Sequence, residues 1–473
     1  MSKLYVIGIG GTGARVIRSL TMLLATGIEI KNTSEVVPVI IDADANNGNL
    51  TQTVELVKDY ISLQDYVNAA GMKNKFFGSK INNIIGSIVT SMTLNTQQKF
   101  EDFIGYSGLD DSNKKFASML FSGEEMNMNM VDGFQGHPNI GSVTLNQFSS
   151  IINSLNYQAG DRFFIVSSIF GGTGASGFPL LLKNLKNPGN DIQNKIVEDA
   201  KIGAITVMPY FELSKNGQNA YVPQNSDTFM SRTKAALKYY DNNINPDVLY
   251  YIGDDVCSQY NNCGGGQGQS NKAHFVELVS ALSILDFMDI TDKDMQNSGG
   301  TIYKEYGMKQ NDSNVTFDTL DDTTSDKIKG NLTGFLLLSK FLNEHLKKAC
   351  ADNDKWTINS QCDGNFLGGD FYKKLKSFAS NYMKWLEEMK DNTRSFQPLN
   401  TQQKEDELFD LVVGVKSSKM KGYGFNRNYD LFDAVLDEQK ADSFKNLTKE
   451  QRFVEMFYLT IEELCKGKLN FNI

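Results

Sequence analysis

Short apolar runs, each closed by glycine, aspartate or proline, alternate with longer amphipathic stretches over roughly the first 300 residues. That texture predicts a largely parallel α/β sheet. The strand candidates are residues 4–7, 36–41, 163–169, 202–208 and 248–252, rich in Val, Ile, Phe and Tyr. Near-continuous apolar runs suit strands covered on both faces by helices. Helical spacing is predicted over residues 14–24, 178–185, 227–240 and 273–288. Residues 100–160 are polar and rich in Met and Asn, and residues 264–270 have the composition of a flexible loop. The pattern changes beyond residue 300. Residues 311–329 suggest a linker or exposed excursion, and residues 332–351, 371–390 and 450–466 then carry helical spacing. The expected organisation is an α/β domain over 1–270, a linking helix over 271–290 and a smaller, more helical C-terminal domain over 291–473.

Composition narrows the class. A chain of 473 residues with 40% hydrophobic and 22% charged residues has the balance of a globular protein able to bury a large core. The net charge of −9 and the lack of a long basic block argue against a nucleic-acid partner. No apolar run approaches the ~18 residues of a membrane span, and Met1 runs straight into a strand-like segment without a signal peptide. A cytoplasmic location is therefore expected. Five cysteines, an odd number, fit a reducing compartment rather than a disulfide framework. Cys257 and Cys263 form the only close pair, with His274 as the one further metal ligand candidate nearby. They read better as loop cysteines. Cys350, Cys362 and Cys465 are scattered, as are His137, His274 and His345. The Met126–Met130 cluster reads as a loop packed on the core.

Two glycine loops carry the chemistry. In the first, Tyr5-Val6-Ile7 runs through Gly8, Gly10, Gly11, Thr12 and Gly13 into a helix beginning Ala14-Arg15. Backbone N–H groups at such a helix start can donate to a phosphate, and glycine allows its close approach. Gly8, Gly10 and Gly13 also spell the dinucleotide fingerprint, with Asp42 ending the second strand where a ribose-binding acid would sit. The second loop, Gly171-Gly172-Thr173-Gly174-Ala175-Ser176-Gly177, follows another strand and leads into a helix expected to start near Phe178-Pro179. One dinucleotide domain needs only one such loop. Two of them suggest a di- or triphosphate held by several strand ends. The P-loop pattern is absent.

The second loop resembles the tubulin/FtsZ signature Gly-Gly-Gly-Thr-Gly-Ser/Thr-Gly, and Val6–Gly13 is similar to the opening strand and loop of FtsZ. Ile41-Asp42-Ala43-Asp44 is similar to the family's second strand end, beside the phosphates and magnesium. Gly136-His137-Pro138-Asn139-Ile140-Gly141 resembles the loop that approaches the γ-phosphate, and Val207-Met208-Pro209-Tyr210-Phe211-Glu212 the loop near the ribose. Asp254 stands where the family contacts the purine. Asn271 and the helix after it, with Glu277, resemble the central helix that touches the base. The resemblance spans residues 3–290 and is nearest to divergent bacterial tubulin-like proteins. Phe170 replaces the first signature glycine, Ser176 the last, and Arg15 a small polar residue. The family's acidic catalytic loop is absent in its usual form. Asp289, Asp292 and Asp294 stand in its place.

The resemblance implies a tubulin/FtsZ-like GTP-binding protein, a nucleotide-dependent switch or assembling GTPase with weak or assembly-dependent hydrolysis. Its ligands would be GTP or GDP with Mg2+. Phosphate contacts would come from Gly10, Gly11, Thr12, Gly13, Gly171, Gly172, Thr173, Gly174, Ala175 and Ser176, with Arg15 reaching a phosphate or lying solvated on its helix. Asp42 and Asp44 would serve the metal. Gly136, Asn139, Pro209, Glu212, Asp254 and Asn271 would complete the site. A homo-oligomer or filament would bring the three acids of one subunit to the nucleotide of the next. Two alternatives stay open at this stage, a non-hydrolysing nucleotide-bound scaffold and a Rossmann-type NAD(P) enzyme.

Overall fold

Six strands form the main sheet: β1 (Ser2–Ile9), β2 (Thr33–Ile41), β3 (Arg162–Ser168), β4 (Lys201–Val207), β5 (Val248–Ile252) and β6 (Ile302–Tyr306). Their order is β2-β1-β3-β4-β5-β6, and every neighbouring pair is parallel. The expected α/β class is therefore present. The computed structural model describes residues 2–44, 46–82, 98–130, 134, 137–145, 148–190, 192–214, 226–255, 258–261, 266–306, 313–424, 426–439 and 444–473.

Five of the six strands, β1 to β5, are those the apolar runs predicted. The sixth escaped because Ile-Tyr-Lys-Glu-Tyr is broken by Lys304 and Glu305 and forms no apolar run, as suits a half-exposed edge. At the opposite edge, β2 contains Pro38. The N–H of Val36 turns away from β1 and donates to the Lys80 carbonyl at 2.8 Å. Two residues on, the Pro38 nitrogen faces the same outward way, so its missing donor costs the ladder nothing.

Helices fill the connections: α1 (Gly10–Ala25), α2 (Gly48–Val67), α3 (Pro138–Thr144), α4 (Gly172–Lys186), α5 (Ser226–Asn243) and α6 (Phe275–Asp289). Helix α6 is apolar on all sides and almost wholly buried, as expected for a helix inside the protein. It packs against α1, β4 and β5. The later part of the chain contributes α7 (Asp322–Lys340), α8 (Leu346–Asp352), α9 (Lys355–Ser360), α10 (Asp370–Lys390), α11 (Tyr429–Glu438) and α12 (Lys449–Leu464). Two sequence expectations change here. Residues 322–329 are the first turns of α7, capped by Asp321, rather than a linker. The helix expected over 332–351 is interrupted by a π turn at Phe341–His345. Helix α2 was missed, although Leu56, Tyr60, Leu63 and Val67 recur at helical spacing and are buried. Met126 and Met130 are buried on the core as expected, although Met126 ends a one-turn helix, Gly123–Met126, rather than lying in a loop. Buried hydrophobic residues of the early and late parts of the chain belong to one contiguous cluster.

Strand β1 has β2 on one side and β3 on the other, so the chain reverses its direction of travel across the sheet between them. Such a reversal opens a crevice at the carboxyl ends of the two strands. Its floor is set by one contact. A Cβ on Gly13 would lie 2.5 Å from the carbonyl carbon of Gly8 and 3.1 Å from the Val166 oxygen. Backbone atoms offer no relief there. Gly13→Ala should cost about 2–3 kcal/mol of unfolding free energy, measured by urea denaturation without added ligand. Gly108→Ala, whose new Cβ would meet nothing within 4 Å, should change it by less than about 0.5 kcal/mol.

Candidate functional site

Helix α1 starts directly out of β1 at Gly10, whose φ of +74° favours glycine. Its N-cap is the apolar Ile9, which provides no side-chain bond, and no acid lies in its first turn. Helix α4 begins the same way behind Gly171, again without a capping side chain or a first-turn acid. Helices α2, α6, α7 and α12 are capped by Asn47, His274, Asp321 and Thr448, whereas α3, α8, α9, α10 and α11 also start without a capping side chain. The starts of α1 and α4 adjoin: a Cβ on Gly10 would sit 3.5 Å from Cβ of Thr173 and 3.6 Å from the Gly174 nitrogen. Two sets of first-turn N–H groups, each at the positive end of a helix dipole, therefore converge on the crevice between β1 and β3.

Asn47 and Asn49 belong to the same wall. Their amide nitrogens would lie 3.4 and 3.6 Å from a Cβ on Gly11. Neither was singled out from sequence, because α2 was not recognised and its cap had no meaning without it. Asn47 Oδ1 accepts the Asn49 N–H, while its Nδ2 donates to Asp42 Oδ2 at 3.3 Å and Gln269 Oε1 at 2.8 Å. Residues 266–270, the described part of the expected flexible loop, are laced to this corner. The Gly266 N–H donates to Asp44 Oδ2 at 2.6 Å, and the Gly48 and Asn49 N–H groups donate to the carbonyls of Gly266 and Gln269. The Asn271 N–H donates to Asn49 Oδ1.

Asp42 and Asp44 are 5% and 3% exposed. Among the described residues no basic side chain pairs with either. Burial, with the neighbouring Asp44 charge adding to it, pushes the Asp42 carboxyl up to about 7. A buried, unneutralised acid pair fits a hard cation bound through oxygen, directly or through water. The hydrogen bonds already on these oxygens leave lone pairs for it.

Arg15 takes neither expected role. It is 3% exposed, and its Nε and terminal nitrogen donate at 2.5 Å to Glu277 Oε1 and the Tyr210 hydroxyl. Tyr210 in turn donates to Glu277 Oε1 at 2.9 Å. His274 closes the cluster: its N–H donates to Glu277 Oε2, and Nδ1 accepts from the Val276 N–H. Burial, then the Arg15 and Arg394 charges, lowers its pKa to about 3, so the imidazole is neutral. Arg15 thus fastens α1 to α6.

The other expected residues follow the same strand ends. Ser176 donates its hydroxyl back to the carbonyls of Gly172 and Thr173 within its own helix. Helix α3 packs against α4 so closely that a Cβ on Gly141 would meet Ser176 Oγ at 2.2 Å. Asn139 is exposed and donates to Glu125 at 2.6 Å. Pro209 is buried just beyond β4. The backbone of Glu212 lies in a short strand, Phe211–Ser214, paired with Ser258–Asn261. The Asp254 carboxylate is held by Arg394 Nε at 2.6 and 2.7 Å. Gly136, Cys257 and Cys263 lie outside the described residues.

Asp289, Asp292 and Asp294 lie at the opposite edge of the sheet. Asp292 pairs at 2.6 Å with Arg162, the first residue of β3. Asp289 is bridged by Lys31, before β2, and by Lys327, whose bonds outweigh burial and hold its carboxyl below the usual range. Asp294 completes a capping box with Thr291. The seven residues of β3 separate this edge from the glycine crevice, about 20 Å. No single subunit brings the three acids to the crevice.

No family model and no curated protein matches this chain. Among solved structures it is similar to CetZ2 from Haloferax volcanii, a GTPγS-bound protofilament, at 12% identity and TM-score 0.32, covering 64% of each chain. CetZ from Methanosaeta thermophila matches at 14% identity and TM-score 0.30, over 63% of this chain and 58% of that one. An FtsZ mutant from M. jannaschii matches at 18% identity and TM-score 0.26, over 53% and 46%. Among the described residues no helix is long and apolar enough to cross a membrane.

Two outcomes follow from the buried charges. Arg15→Met should destabilise the protein by about 3–5 kcal/mol in urea titrations, because Glu277 is left buried without its partner. The Asp42 effect is one of pH. Its carboxyl holds a proton up to about 7 when folded, against an ordinary value of 3.8. The stability it contributes is thus complete below pH 3.8 and is lost as pH rises through 7. Asp42→Asn should flatten that part of the pH–stability curve, measured without added divalent ion.

Proposed function

We propose that the chain binds a guanine nucleotide, GTP or GDP, with its phosphates against the uncapped starts of α1 and α4. The observation that carries this reading is the convergence of those two helix starts at the crevice between β1 and β3. Gly10, Gly11, Thr12, Gly13 and Gly171 to Ala175 would supply N–H groups, with the Thr173 hydroxyl beside them. Asn47 and Asn49 join them on the strength of their place beside Gly11. Asp42 and Asp44 would hold Mg2+, which would offset phosphate charge. Asp42 is directed to Asp44 and Asn47 within a buried corner, which favours a cation role over the ribose contact of a Rossmann enzyme. Asn139, Pro209, Glu212, Asp254 and Asn271 remain candidates for the rest of the nucleotide. Asp254 would have to share Arg394 with it.

The separation of the acids from the crevice supports a site completed by a second copy, stacked head to tail, so that turnover depends on assembly. Asp292 is the acid best placed for this, at 61% side-chain exposure. All three acids are occupied, Asp289 and Asp292 by ion pairs and Asp294 by a helix cap, which favours a second reading in which nucleotide is bound and scarcely hydrolysed.

Calorimetry should give GTP binding at low-micromolar affinity or better, about −8 kcal/mol. Gly11→Val should abolish it while the protein stays folded, since the new side chain enters the cleft beside Asn47 and Asn49 in ordinary contact. Gly174 is a poorer probe, because a Cβ there lies 3.0 Å from the Ser168 backbone. Tight NADH binding with no response to GTP would overturn the assignment.

If turnover occurs between subunits, its rate per chain should rise with protein concentration, and Asp292→Asn should slow it more than it weakens binding. Nucleotide bound with no turnover at any concentration would select the scaffold reading.

A further inference from the structure

Far along the chain from the glycine loops, a histidine and two aspartates meet in the helical region after residue 340. His345 closes the π turn between α7 and α8, Asp354 precedes α9, and Asp433 lies on α11. One ligand atom from each, the His345 ring nitrogen and a carboxylate oxygen of each aspartate, lies within 4.8 Å of the others. His345 Nε2 stands 2.6 Å from Asp433 Oδ2. The remaining contacts fix both groups. Trp356 Nε1 donates to Asp433 Oδ1 at 2.9 Å, and the Tyr429 ring stacks on the imidazole at 4.7 Å with planes 10° apart.

Two further features set this cluster apart from an ordinary hydrogen-bond network. Asp354 occupies an N-cap position, yet its side chain caps nothing. Asp437, one turn after Asp433 on α11, has a buried Oδ1 with no hydrogen-bond partner among the described residues. Two carboxylates and one imidazole thus present ligand atoms within 4.8 Å of one another, where a cation would relieve the repulsion between the acids. The π turn is what brings His345, 6% exposed, to the acids.

We propose that His345, Asp354 and Asp433 form a site for a divalent transition-metal ion of Zn2+ type, which clamps α9 and α11 to the π turn. One imidazole and two carboxylates are donors that zinc accepts, with water or Asp437 completing four-coordination. The ion takes the lone pair of Nε2. The proton shared there with Asp433 passes to Nδ1 of a neutral ring, or to solvent from a doubly protonated one, so that the bound imidazole keeps one proton on Nδ1. Nε2 and the Asp433 oxygen move apart by under about 1 Å while the Asp354 carboxylate closes in to the spacing of a coordination sphere. Trp356 and Tyr429 then act as the outer contacts that orient ligands.

The test is zinc uptake by the full-length chain after treatment with chelator, read by elemental analysis and calorimetry with ZnCl2 alone. One equivalent should bind, with a melting temperature raised by several degrees. Asp354→Asn, which leaves the His345–Asp433 and Trp356–Asp433 contacts in place, should weaken binding about tenfold or more. The Asp42 and Asp44 corner and the Cys350–Cys362 pair, with sulfurs 3.2 Å apart, are rival zinc sites. Asp42→Asn and Cys350→Ser should therefore leave the affinity unchanged. Zinc that follows either of these variants overturns the proposal, as does a wild-type chain that takes up none. Should Asp354→Asn fail to fold, Co2+ added to the wild type should quench Trp356 fluorescence, and unchanged tryptophan emission with Co2+ bound would place the ion elsewhere.

Discussion

The close approach of Gly8 and Gly13 governs the geometry of the crevice. With no Cβ on either residue, α1 leaves β1 without an intervening loop and lies hard against the sheet. The first N–H groups of the helix are thereby delivered to the carboxyl edge at a fixed height. The same orientation aims Arg15 inward, where Glu277, Tyr210 and His274 receive it. A helix set one residue later would turn Arg15 by about 100° and break the link to α6. Backbone packing, donor placement and the tie to the buried helix are consequences of one contact.

Charge is distributed with similar economy. The buried arginine is spent on structure, so the crevice offers amide dipoles and carboxylates. Dipoles held by a folded backbone need no reorganisation when an anion arrives. Cations and carboxylates at the far edge pair among themselves, as Asp289 does with Lys31 and Lys327. The two edges of the sheet consequently differ in kind: one has unsatisfied donors, the other satisfied acids.

Much of this was legible in the sequence where local composition decides the outcome. Apolar runs announced five strands because both of their faces are buried, and glycines announced both helix starts because backbone must approach backbone there. What escaped depends on distant partners. Strand β6 is polar enough to pass for a loop until β5 lies beside it. Asn47 and Asn49 acquire a role only once α2 is recognised. The fate of Arg15 was undecidable without Glu277, which lies 262 positions away. Residues 266–270 read as flexible because composition says nothing of hydrogen bonds to Asp44 and Asn47. His345 looked isolated because Asp433 joins it only through the packing of α11.

The parallel pairing of β1 with β3 has a kinetic consequence. Leu4 pairs with Arg162, so the two halves of the crevice are joined by a contact across about a third of the chain. Closing so long a loop is entropically costly and slow, whereas α1, α2 and their packing are local events. The helix starts of α1 and α4 therefore come together late in folding, after most of the first half of the chain has been made. A ligand that needs both finds no binding-competent form before that step. Its effect on the folded population is a brake on unfolding, not an acceleration of folding, and the crevice serves as a checkpoint that the sheet has closed in the right order.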